Sequence, residues 1–178
     1  MVSWAGVREP KRDEPYRPPP IDRGHAGGEP RLRPIAIVTG VAVDWFATLA
    51  ASFVVATMAS AVAASRYDDP VRMKSYVEEL SRAPDFLVLS TALGLICVAL
   101  GGFAAGWLAP RAELRHAIAM GFVSLAIGIS MDAATDGAEW YPEWLRIGGH
   151  VLVLPAAMLG GAVSARVREA PKEDASLN

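Results

Sequence analysis

"ALGGFAAGWLAPRAELRHAIAMGF" (Ala99–Phe122) holds the end of one apolar run, a stop, and the start of another. Pro110 has no amide proton to donate and its ring clashes with the preceding turn, so a helix arriving from the N-terminal side ends there. Apolar residues resume at about Glu113 and continue to Met131. A connection this short joins two helices only as an antiparallel hairpin. Both arms reach or approach the roughly 20 apolar residues that cross ~30 Å of hydrocarbon. The stretch therefore predicts two adjacent membrane spans, about 85–109 and 113–131.

Two further runs of the same kind flank the hairpin, at about 35–64 and 146–166, the last with Pro155 near its middle. Of the 178 residues, 52% are hydrophobic and 20% charged, and the charges collect between the four runs. The expected class is an all-α, four-transmembrane-helix bundle over 34–166. Ala61-Val62-Ala63 resembles a signal-peptidase site. The run before it, however, far exceeds the 7–15 residues of a signal core, so the first span is expected to be retained.

Residues 1–33 carry six prolines and seven Arg or Lys. Such a segment buries too little apolar surface to offset its ordering entropy, and a disordered tail is expected there. A second tail is expected at 167–178. In the loop from Arg66 to Pro84, Asp69 is placed to cap a helix and Pro70 to begin it. Met73, Tyr76, Val77 and Leu80 follow at helical spacing, which predicts a short amphipathic helix on the membrane surface or on the bundle.

With four spans the two termini share a side. Twelve basic residues fall on that side and five on the other. By the positive-inside rule both termini are expected in the cytoplasm, and the loop after Arg66 outside it. Trp140, Tyr141 and Trp144 read as an interfacial aromatic belt on the outer side.

The net charge of −2 carries no concentrated basic face, so no nucleic-acid partner is expected. The lone cysteine, Cys97, allows no intrachain disulfide and reads as a small hydrophobe. No nucleophile elbow, zincin helix, phosphate loop or dinucleotide-binding glycine motif occurs. No enzymatic activity and no cofactor are expected. His150, with Asp132 and Asp136, matches no metal-ligand spacing, and hydrogen bonding to its neighbours is the expected role.

Helices in a bilayer associate where small side chains let backbones approach. The second span has Gly101, Gly102 and Gly106, the third Gly121 and Gly128. In the fourth, Ala156, Gly160 and Ser164 form one stripe, with Gly161 on the stripe beside it. Packing within one bundle explains such stripes. One bundle needs only one stripe per helix, however, so the second stripe of the fourth span is the candidate interface to another copy or another membrane protein. The second span is the next candidate.

Asp44 is the one carboxylate within the first run. An acid at a helix centre costs roughly 2.5–3.5 kcal/mol on insertion scales, so it is expected to face the bundle. Trp45, Trp107 and His116 fall at a similar level. Asp44 is therefore expected within reach of His116 or of backbone donors on the second and third spans. Intramembrane acids are also functional candidates, so either orienting the first span or binding a cation fits.

Gly101, Gly102, Ala105 and Gly106, followed after the turn by His116 and Gly121, resemble the second hairpin of a family of bacterial four-helix integral membrane proteins. Ala117 stands where that family often has glycine. The resemblance implies a bacterial inner-membrane location and assigns no activity. The functional expectation is a non-catalytic membrane component packing through its glycine stripes, with the lipid bilayer as its surroundings. The alternative is a small transporter or ion-conducting protein using Asp44 and His116.

Overall fold

A computed structural model describes residues 32–134 and 141–169 of the chain. The expectations for residues 1–31, for Asp136 and Trp140, and for the tail after Glu169 lie outside the described residues. Five helices follow one another: α1 (Pro34–Arg66), α2 (Pro70–Arg82), α3 (Pro84–Trp107), α4 (Glu113–Ala134) and α5 (Glu143–Glu169). No strand occurs among the described residues. α1, α3, α4 and α5 are each long and apolar enough to cross a membrane, the mark of a multi-pass membrane protein.

Local chemistry sets the helix ends. Proline stands at the first turn of α1, α2 and α3, where its missing amide has no helical partner to lose. The Asp69 carboxylate accepts from the Val71 amide at 3.0 Å, capping α2. α3 stops at Trp107, two residues before the expected end, and the chain turns through Leu108–Ala112. α5 begins three residues earlier and ends three later than expected and stays helical through Pro155. Within the spans, the Thr57, Thr91 and Ser130 hydroxyls donate to carbonyls four residues back. That satisfies polar groups that lipid could not.

In the α3–α4 turn, Arg111 has φ 74° and its amide donates to Glu113 Oε1 at 3.0 Å. A Cβ in this left-handed region costs roughly 1–2 kcal/mol. Glycine removes that cost but adds about 0.5–1 kcal/mol of chain entropy. Arg111→Gly is thus expected to stabilise the bundle by ~0.5–1 kcal/mol. A higher midpoint in a denaturing-detergent titration would register the gain, and a lower one would contradict it.

The bundle is held by contacts that admit no larger side chain. A methyl at Gly102 would land on the Ala157 carbonyl, and one at Gly160 on the Ala99 carbonyl and the Phe103 amide, so α3 and α5 touch backbone to backbone. On the α4 side, a methyl at Gly161 would meet Ala117, and one at Gly121 would meet Ala157 at 2.9 Å. α1 crosses α3 at Gly40, where an added Cβ would stand 2.8 Å from the Gly101 carbonyl. Around these crossings lies a core of Val98, Ala105, Met120, Ala156 and Ala157. Phe46, Phe53, Met58 and Leu159 project outward, as side chains meeting lipid do. Arg168 lies 5.0 Å over the Trp107 ring and ties the end of α5 to the end of α3.

α5 therefore uses both of its small-residue stripes inside the bundle. The expectation that one would be left for a partner differs from the packing found. α5 touches α3 and α4 together, and two neighbours on adjacent faces occupy two stripes.

Candidate functional site

The α1–α3 crossing determines where Asp44 sits. It lies one turn beyond Gly40, and a methyl at Gly101 would come 2.9 Å from its Cβ. Backbones this close leave the carboxylate only 6% exposed and aimed between the helices. Its Oδ2 accepts a 2.8 Å hydrogen bond from the Ser124 hydroxyl of α4. Thr48, the next turn of α1, presents its hydroxyl to the same carboxylate. Asp44 faces the bundle as expected, but its partners are side-chain hydroxyls.

His116 does not pair with Asp44. It is 1% exposed, and its Nε2 accepts from the Arg33 amide at 2.8 Å while Nδ1 lies 2.8 Å from the Ala112 carbonyl. An amide donor at Nε2 requires a lone pair there, so Nδ1 carries the proton and donates to Ala112. Nε2 fastens the residue before α1 onto the start of α4, and Nδ1 is committed to the carbonyl one turn back in its own chain segment. Ser124 lies two helical turns further along α4 than His116, and that separation keeps the imidazole out of Asp44's surroundings.

A cavity of about 610 Å³ opens on the other side of Asp44. Asp44, Thr48 and Ser124 form its inner end; Trp45, Leu95, Val98, Ile127 and Val153 supply apolar walls. Its outer end lies where α3 and α5 begin and α4 ends, at Thr91, Asp132, Tyr141, Arg146 and His150. Thr91 Oγ1 and the Tyr141 hydroxyl are 2.5 Å apart, and His150 Nε2 stands 3.3 Å from Asp132 Oδ2. Along α4, Ser124, Gly128 and Asp132 recur every four residues and line the cavity on one face. From Ser124 to Asp132 is about 12 Å of helix. In the opposite direction Met120, with no exposure, packs against Gly40 and Gly101 and closes the way out. The cleft therefore runs from Asp44 to the end of the bundle where α3 and α5 begin, with Met120 packed beyond its inner end.

Gly128 has a different role from the other glycines. A Cβ there would have His150 Nε2 as its nearest neighbour, at 3.8 Å, an ordinary contact. Gly101, Gly102, Gly106, Gly121, Gly160 and Gly161 are buried at crossings, and Ala156 and Ser164 pack inward with them. The Ser164 hydroxyl donates to the Gly161 carbonyl within α5.

A second, smaller cavity of about 290 Å³ lies between α1, α2 and α3, walled by residues such as Val55, Leu80, Phe86 and Leu93. Thr48 and Gly94 line both cavities. Among the described residues no group of three or more His, Cys, Asp or Glu is placed to hold a metal ion. Sequence reasoning missed Ser124 as the partner of Asp44, because no spacing rule joins residues on different helices. No known protein family, curated protein or solved structure matches this chain.

Proposed function

We propose that this chain is a non-enzymatic, multi-pass membrane protein that admits a small solute to Asp44, as a small transporter does. The observation that carries this reading is the cleft itself: about 610 Å³ of space with a buried carboxylate at its inner end. Ligand sites are of this kind, concave and mostly apolar with a few convergent polar groups, at roughly 300–1,000 Å³. A sealed layer at Met120 with an open passage above it suits one state of a protein that opens to either side in turn. The reading as an accessory subunit leaned on a spare stripe of α5, and both α5 stripes already have partners within the bundle. The basic bias favours a cytoplasmic position for both termini, which turns the cleft outward and puts α2 on the outer side, on the membrane surface or on the bundle. The hairpin resemblance favours a bacterial inner membrane.

The test uses the single native cysteine, which is buried on α3 and is first replaced. In a Cys97→Ala background, Ser124→Cys and Gly128→Cys are expected to react with a membrane-impermeant maleimide applied from outside the cell. Met120→Cys is expected to stay unreacted from either side. Silence at both Ser124→Cys and Gly128→Cys in folded protein would sink the reading.

A further inference from the structure

The walls of the cleft also say what charge its solute carries. We propose that the ligand is a small organic monocation, a primary ammonium head on an apolar body; this rests on the cleft being a solute site. At the inner end Asp44 is the sole ionisable side chain among the lining residues, and it is 6% exposed. A carboxylate is acceptor-only, and a buried one is costly unless a counter-charge meets it. The Ser124 hydroxyl donates to Oδ2 and the Thr48 hydroxyl is presented to the same carboxylate, which leaves acceptor capacity on the carboxylate and on both hydroxyl oxygens. An ammonium has three donors to place, and three oxygen groups converge where it would arrive.

The remaining walls select the body attached to that head. Trp45, Leu95, Val98, Ile127 and Val153 offer apolar and aromatic surface over most of the cleft. A bare metal ion would leave nearly all of the 610 Å³ unfilled and would find three oxygen-bearing side chains where hard cations take six or more. Trp45 lines the cleft beside Asp44, and an indole next to a cation site adds attraction through its π face. At the mouth Asp132 and Arg146 carry opposite charges, so Asp44 sets the preferred sign.

Equilibrium dialysis of the full chain in mild detergent decides the matter, with 2-phenylethylammonium, 2-phenylethanol and phenylacetate as probes of one shape and three charges. The ammonium is expected to bind at least about tenfold more tightly than either of the others. Asp44→Asn is expected to weaken the ammonium by that same factor, at least about tenfold, which brings it to the level of the alcohol. Equal affinity for the three probes, or an unchanged ammonium affinity in Asp44→Asn, overturns the assignment. Should the variant not fold, the three-probe comparison on the unsubstituted chain decides alone. If no probe binds while Ser124→Cys is still labelled, the cation assignment falls and the cleft stands. If binding and labelling both fail, both readings fall.

Discussion

Gly160→Leu is expected to leave no folded bundle. A methyl at this position would overlap the Ala99 carbonyl and the Phe103 amide, and both are backbone atoms of a helix. Neither moves unless α3 moves as a whole. The same face of α3 carries Gly102 against the Ala157 backbone and Gly106 against Ser164, so a shift opens the entire α3–α5 seam. Overpacking by even a methylene or two costs roughly 1–3 kcal/mol, and here rotamer changes cannot absorb the added volume. Gly160→Ala is expected to lie in that range and Gly160→Leu beyond it, against a whole stability of only about 5–15 kcal/mol. Cys97 supplies the readout, since its thiol is buried in α3 and becomes reactive when the bundle opens. Rapid thiol labelling and aggregation on size exclusion are the expected results. A monodisperse Gly160→Leu protein with a protected Cys97 would show that the seam has been misjudged.

The second large effect comes from the same residue type, also in a membrane span, with the opposite consequence. Gly128→Phe is expected to abolish solute binding and leave the fold intact. A side chain here grows into the cleft between His150 and Ser124, and its first carbon meets nothing nearer than 3.8 Å. A phenyl ring beyond that carbon occupies the passage to Asp44. Filling apolar space without forcing backbone movement is neutral or stabilising, so the unfolding midpoint should hold or rise. Binding of 2-phenylethylammonium should fall to background, and Ser124→Cys in the Cys97→Ala background should lose its labelling once Gly128→Phe is added. Retained binding in folded Gly128→Phe would mean that the solute reaches Asp44 by another way, with the Thr48–Gly94 junction to the smaller cavity the place to look.

These two glycines show how far local sequence reasoning reaches. Each recurs at a four-residue interval with another small residue, Gly128 after Ser124 and Gly160 after Ala156, and nothing within a few positions separates them. One is closed by a carbonyl and the other faces open space. The difference lies in how far each helix is rotated and where its neighbour crosses it, and neither is a property of a short window of chain. Asp44 follows the same logic. Its inward orientation was legible, because an acid turned toward lipid is expensive. Its partner was not, since Ser124 lies eighty residues away and three elements later. His116 was legible as a polar residue at the start of a span. Its bond to the Arg33 amide depends on how the beginning of α1 is laid across α4.

Length, apolarity and the positions of proline sufficed by themselves for four helices able to span a bilayer, their ends to within three residues, and the tight turn between α3 and α4. Those are local quantities: a backbone in hydrocarbon must satisfy its own hydrogen bonds, and each segment does so alone. Tertiary packing decided which small residues close a crossing, that both faces of α5 are used, and that a cleft is left open above Asp44. Such outcomes depend on the mutual tilt and rotation of helices that every neighbour adjusts at once, and no single segment encodes them.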